Sequence, residues 1–420
     1  MKTLFLNRWF QVFLLAILIV IFWYPICSNE FFYDDWTFIN KVQSGNFSFG
    51  SLFFATNGHF APIFTGLFFV MLKLFGLNIV PYMCFSIFMQ ILTCSLLFYL
   101  LTLIFPQNKY LPFLLALYFS LNTVYFEILH WFSGLGQSFS FLPLLLTLIF
   151  LHRGVLESNK KFLAISVITS FFIPMHYSMG FTGIGFIFLY YLFVLNKYKE
   201  IGGFKRGIIF FLPYVFAWLL FFVVYLIFAL PVLLNQPDTA PSLTFNVNSV
   251  LAYTLLGFTG LLVKNLGYSI LVFPYTTGLA VLLTFFFIVF FMMMLLYFFL
   301  TPQKNRIALF FNRNLAIFSF ITMFFCYSLL AFARASLGVE AFLSWGRYHY
   351  FPMFSFTILL GAVIPQVINI FSKLFDRRRF KIFLVVIFIL FLMTHFILIR
   401  QKSESPIRTE GALPAAYLVS

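Results

Sequence analysis

Residues 8–36 read RWFQVFLLAILIVIFWYPICSNEFFYDDW, and the fold class follows from them. No charged side chain interrupts the run between Arg8 and Glu30, and about 20 consecutive apolar residues suffice to cross a hydrocarbon layer ~30 Å thick. The stretch is therefore a membrane span over about residues 9–26. No small-residue cleavage site follows Cys27 and further spans come after it, so the helix is retained rather than removed as a signal peptide.

The rest of the chain is written in the same way. Its 420 residues are 63% hydrophobic, 23% aromatic and 9% charged, whereas soluble domains carry roughly a quarter charged residues. The mean hydropathy of +1.02 agrees. Further spans read at about 80–105, 110–127, 137–151, 162–175, 180–195, 208–234, 275–300, 315–333, 351–371 and 382–399, giving about eleven with the first. The expected fold is an all-α integral membrane protein, with residues 1–400 as one transmembrane domain and 401–420 as a short external tail. A coiled coil, a nucleic-acid-binding domain and a disulfide scaffold are excluded. Four cysteines, at Cys27, Cys84, Cys94 and Cys326, are too few for the last and lie within apolar runs.

The net charge of +15 is a statement about topology, since Lys and Arg collect on the cytoplasmic side of membrane chains. With a cytoplasmic N-terminus, basic groups such as Arg153-Lys160-Lys161 and Arg377-Arg378-Arg379 all fall inside. This parity requires the apolar stretches 60–78 and 250–273 to lie in, or dip into, the outer interface, where Lys73 and Lys264 snorkel to lipid headgroups. The long external loops are then 28–79, 235–274 and 334–350, and no internal repeat at a fixed period is visible.

Of only 11 acidic residues, Glu30, Asp34 and Asp35 crowd the first of these loops. Solvated surface carboxylates are one reading. Their setting, FFYDDW over 31–36, favours another, because aromatics on both sides seat the pair at headgroup level in a lowered dielectric. Adjacent carboxylates repel, so one has a raised pKa unless a cation sits between them, which suits general-base work or metal binding. Further along the loop TNGHFAP, residues 56–62, opens the interfacial helix and sets His59 near its N-terminus, where anions gather.

An acidic pair just past a first span, a His and Pro opening an interfacial helix, and Leu74-Phe75-Gly76 before the second span together resemble the GT-C superfamily of polyprenyl-phosphate-sugar-dependent glycosyltransferases. EILHWFSGLG, residues 127–136, resembles that family's short external turn, and SWGRYHYFP, residues 344–352, resembles its Arg-Tyr and Pro segment. The resemblance covers roughly the first 200 residues in order, with the second echo near 344–352. MHYSMG, residues 175–180, departs from it, standing where many members carry an acidic residue.

The resemblance implies an inverting hexosyl- or pentosyltransferase at the outer face of a bacterial plasma membrane. A polyprenyl-phosphate-linked sugar is the donor, and a glycan, lipid or protein is the acceptor. It implies Asp34 as the base, with Asp35 orienting the acceptor or holding a divalent cation such as Mg2+ or Mn2+. Arg347 is the candidate for the departing phosphate, since its fork matches phosphate oxygens, with Arg334, His349, Lys264 and Tyr348 assisting. His59, Glu127 and His130 complete the candidate substrate contacts, and Gly257, Gly260 and Gly267 would flank the prenyl groove. Arg347 pairing with Glu340, or with a headgroup, is the alternative for that residue. For the whole chain the alternatives are an O-antigen-polymerase-like enzyme and a lipid or sugar transporter or flippase; the near absence of charge from mid-span weighs against transport.

Overall fold

The computed structural model describes residues 7–32, 34–45, 49–53, 60–195, 203–231, 246–265, 306–334, 342–343, 345–374 and 377–404. Helices make up most of these residues, which contain no strand. In chain order the helices are α1 (Arg8–Trp23), α2 (Asp34–Gln43), α3 (Pro62–Phe75), α4 (Ile79–Ile104), α5 (Leu111–Ser120), α6 (Phe126–His130), α7 (Gly136–Leu156), α8 (Lys160–Phe172) and α9 (Gly183–Tyr190). They continue as α10 (Gly203–Phe228), α11 (Val247–Asn265), α12 (Arg306–Arg334), α13 (Tyr350–Leu374) and α14 (Arg377–Glu404). Several begin on asparagine, whose side chain accepts a hydrogen bond from a first-turn N–H: Asn7 before α1, Asn78 before α4 and Asn159 before α8.

Among the described residues, seven stretches are long and apolar enough to cross a bilayer: Arg8–Ser28, Ile79–Ile104, Phe132–Leu156, Ile209–Phe228, Asn312–Ala333, Gly346–Ile368 and Ile382–Ser403. The chain is a multi-pass membrane protein. An eighth span results if Leu111–Ser120 and Thr123–His130, bent by 41° at their junction, count as one. Two of the expected spans, 162–175 and 180–195, instead form shorter helices. The 13 residues of α8 rise only about 20 Å at 1.5 Å each, less than the hydrocarbon thickness. The expected span at 275–300 lies outside the described residues.

The bundle is organised around α4, which packs on α1, α5 and α7, and around α13, which packs on α12, α5 and α14. Ile382–Ser403 faces outward along most of its length, with Ile389, Leu390 and Met393 exposed as a lipid-facing surface requires. The stretch expected at the interface, 60–78, forms α3, only 14 residues long. Its Phe64 and Phe68 lie against Phe132 at centroid distances of 5.7 and 5.0 Å, and Phe68 meets Tyr82 at 5.9 Å. The two Phe68 pairs are edge-to-face, an arrangement that adds ~0.5–1.5 kcal/mol each beyond burial.

The break between α5 and α6 has an identifiable chemistry. Asn122 leaves the helix and caps the following turn, accepting from Val124 N at 3.0 Å. The Thr123 N–H, stripped of its helical acceptor, donates to His395 Nδ1 on α14 at 3.0 Å. That fixes the tautomer: Nδ1 is the acceptor, so Nε2 carries the proton and points to the Asn265 carbonyl at 3.4 Å. Asn122 and Tyr118 both donate to Asn265 Oδ1, the former at 2.6 Å. Broken backbone inside a bilayer persists only where neighbours satisfy it in this way.

Candidate active site

Asp35 is the best-anchored acid of the first loop. Its Oδ2 accepts from Phe32 N at 3.0 Å, and the Asp35 N–H returns a bond to the Phe32 carbonyl at 2.9 Å. Its Oδ1 accepts from both the backbone N–H and the hydroxyl of Ser133, at 2.8 and 2.5 Å. The side chain has no exposed surface. Burial pushes its carboxyl up from the ordinary 3.8 to about 6; the Ser133 and Phe32 donors oppose that rise and the neighbouring Asp34 adds a little to it. Asp34, by contrast, is only half-buried and opens α2, where the N-terminal dipole favours a carboxylate. Trp36 holds the same segment from the other side by donating its indole N–H to the Phe31 carbonyl at 3.1 Å.

Ser133 belongs to a short turn, Phe132–Leu135, that follows α6. The other end of α6 carries Glu127, whose carboxylate takes two bonds from one residue 220 positions away. Its Oε1 meets Arg347 Nη1 at 3.0 Å, and its Oε2 accepts from the Arg347 backbone N–H at 3.1 Å. Gly346 makes the approach feasible, since a Cβ there would collide with the Val124 carbonyl oxygen. The guanidinium lies over Trp345 at 4.2 Å and Trp131 at 5.0 Å, and so is held between two indole faces as well as by the ion pair. Trp131 also meets Phe32 edge-on at 6.1 Å. One turn thus joins the two halves: Ser133 anchors the acidic loop, and Trp131, two residues earlier, supports the arginine.

Four of the remaining candidates, Tyr348, His130, His349 and Lys264, are buried within the bundle. Tyr348 is buried beside Trp345 with ring centroids 5.5 Å apart. The ring of His130 is buried and stacked on Phe126 at 4.5 Å, with Nδ1 2.6 Å from the Phe126 carbonyl, and it packs behind Phe32 at 5.8 Å. His349 pairs through Nδ1 with the Tyr327 hydroxyl at 2.7 Å. Lys264 lies close enough to His349 to act on it electrostatically, and is itself only 3% exposed.

The burial of Lys264 corrects the expectation that it snorkels to headgroups as the exposed Lys73 can. Gly257 and Gly260 bring α11 into contact with protein, the first against the Tyr327 ring and the second against the Phe342 carbonyl and the His349 ring. These two glycines therefore do not line an open prenyl groove. Arg334 ends α12, and His59, Glu340 and Gly267 lie outside the described residues.

Ser133 and Trp131 entered the sequence reading only as the Ser-Gly and Trp of a family-like turn, and Tyr327 not at all. The first two were visible within EILHWFSGLG, but nothing local marked them as contacts of the acidic loop. Tyr177, in the segment where an acid was expected, lies within electrostatic reach of Arg347. Beside it His176 stacks on Phe139 at 5.9 Å, and its burial lowers the ring's pKa to about 4. Among the described residues no three His, Cys, Asp or Glu side chains gather into a metal-binding group. No family model and no curated protein matches this chain.

Proposed function

We propose that the protein is an inverting glycosyltransferase of the GT-C type. In this reading it moves a sugar from a polyprenyl-phosphate donor to a glycan, lipid or protein acceptor at the outer face of a bacterial plasma membrane, with its N-terminus in the cytoplasm. The observation that carries the reading is the joint anchoring of an acidic segment and a fixed arginine on one turn, Asp35 through Ser133 and Arg347 over Trp131.

Asp34 and Asp35 then divide the work. Asp35 already accepts three hydrogen bonds and has no exposed surface, so its role is to fix the segment. Asp34, half-buried next to it, is the carboxylate that reaches an acceptor hydroxyl. It takes the hydroxyl proton as the oxygen attacks the anomeric carbon from the face opposite the phosphate. General-base help of this kind is worth roughly 10² to 10⁴ in rate. The bond from the anomeric carbon to the phosphate oxygen breaks as the new bond forms, and Arg347 faces the charge that develops on the departing lipid phosphate. The Arg347–Glu127 pair holds that cation in place before the donor arrives, so the site need not reorganise when charge appears.

The test is Asp34→Asn in cells that carry the gene, against a deletion strain, with lipid-linked sugar intermediates and surface glycans measured in each. The expected result is normal expression and membrane insertion, loss of one surface glycan species and accumulation of its lipid-linked donor. Unchanged glycan output from Asp34→Asn removes Asp34 as the base, and identical glycans with and without the gene remove the reading as a whole.

A further inference from the structure

A pair of thiols stands at the two ends of the segment that carries Asp34, and sugar transfer makes no use of it. Cys27 lies in the turn Tyr24–Ser28 that ends the first span, and Cys84 lies in the second turn of α4. The turn packs on α4, which sets the Cys27 and Cys84 side chains close enough to act on each other. A second contact keeps the two backbones in this register: Phe31 meets Tyr82 edge-to-face at 5.0 Å. Cys27 is half-buried and Cys84 exposed, whereas Cys94 and Cys326 are buried. A disulfide joins Cα atoms about 4.4–6.8 Å apart, so two cysteines on packed neighbouring backbones are the arrangement it starts from.

We propose that Cys27 and Cys84 form a disulfide on the outer face of the membrane, closing the segment that carries Asp34 and Asp35 into a covalent loop. The proposal rests on the outward orientation put forward above, because disulfides persist in oxidising compartments. The chemistry is thiol–disulfide exchange with an external disulfide, such as that of a disulfide oxidase. The thiolate of one cysteine attacks a sulfur of that disulfide and releases one of its thiols. The second cysteine then attacks the mixed disulfide and releases the other. Two thiol protons go to solvent or to the leaving thiolates, and the two electrons reduce the external disulfide to a dithiol. The cross-link ties the end of the first span to the start of the second and restricts the unfolded loop between them.

The experiment traps thiols in intact cells expressing the full chain with a permeant maleimide, purifies the protein without reductant and reads its peptides by mass spectrometry. The expected result is a linked Cys27–Cys84 peptide pair, with the alkylated Cys27 peptide at least about tenfold below that of a sample reduced before alkylation. In Cys27→Ser the pair disappears and Cys84 becomes alkylated. Recovery of both wild-type residues as alkylated thiols overturns the proposal. A parallel variant, Ser44→Cys with Cys27→Ser and Cys84→Ser, reports the face through an impermeant maleimide. If it reacts from outside while wild-type Cys27 and Cys84 are alkylated, the disulfide alone is overturned. If it reacts only after the membrane is opened, and Cys27 and Cys84 are alkylated, the orientation behind the proposed function falls with it.

Discussion

Replacing Asp35 with asparagine should remove a pH dependence whose size follows from its burial. The rise from the ordinary 3.8 to about 6, at about 1.4 kcal/mol per pH unit, makes ionising this carboxyl in the fold cost about 3 kcal/mol more than in the unfolded chain. Because the folded pKa lies above the unfolded one, the group's contribution to stability is fully present below 3.8 and is lost as pH rises through about 6. His176 titrates in the opposite sense, since burial lowers its pKa to about 4. The wild-type profile can therefore be nearly flat while that of the variant rises with pH, and only the difference between them isolates Asp35. The variant also carries a constant offset. Its amide can keep an oxygen towards the two Ser133 donors, but then sets an NH2 against the Phe32 N–H, at ~1–3 kcal/mol. The assay is unfolding of both proteins in mixed micelles with increasing SDS, followed by tryptophan fluorescence from about pH 4 to about pH 8. The difference in unfolding free energy should shift by about 2.4 kcal/mol across that window, the wild type losing relative stability as pH rises. A difference constant within about 1 kcal/mol would refute the claim that this carboxyl ionises in a desolvated pocket.

Three further outcomes are expected. Arg347→Met leaves the largely buried Glu127 unpaired and should cost ~3–5 kcal/mol, while adding Glu127→Gln to it should restore most of that loss without restoring sugar transfer; equal stability of the single and double variants in the same unfolding assay would show that the pair is not coupled. Gly346→Ala drives a methyl group into the Val124 carbonyl and should destabilise by ~1–3 kcal/mol, and if thermal unfolding in detergent matches the wild type, the close approach that seats Arg347 is not required. His395→Leu strips the Thr123 N–H of its acceptor and should cost ~1–3 kcal/mol, with protease cleavage or hydrogen exchange enhanced around 121–130 rather than along α14.

The membrane class was legible because it depends on counts along the chain. Runs near 20 residues without charge, like 9–26 and 382–399, correspond to helices of crossing length, and Asn7, Asn78 and Asn159 mark helix starts by simple capping. The break in the 110–127 run was not legible. Asn122-Thr123 within apolar residues is compatible with a straight helix until His395, 272 residues away, supplies an acceptor. The acidic pair was legible as a candidate, since three of the 11 acids within six positions, among aromatics, is a compositional anomaly. Which of the two would be buried was not, because the Ser133 donors that decide it lie 98 residues on. Arg347 had Glu340, which lies outside the described residues, as its sequence neighbour; the pairing with Glu127 is one that helix packing alone selects. Lys264 misled for the same reason: a lysine in an apolar run snorkels only if its helix faces lipid, and the close packing of α11 at Gly257 and Gly260 turns this one inward.

The bend at Asn122 has a consequence for how the protein is made. The backbone N–H of Thr123 is synthesised, and enters the bilayer with its segment, long before the ribosome reaches the histidine that accepts from it. During that interval the kinked segment holds an exposed amide, and the turn bearing Glu127, Trp131 and Ser133 is free to straighten or slip. The site is therefore completed late in biogenesis, when α14 docks. A nascent chain arrested between residues 347 and 395 would hold most of its spans yet lack the clamp on the turn that both the acidic segment and the arginine use.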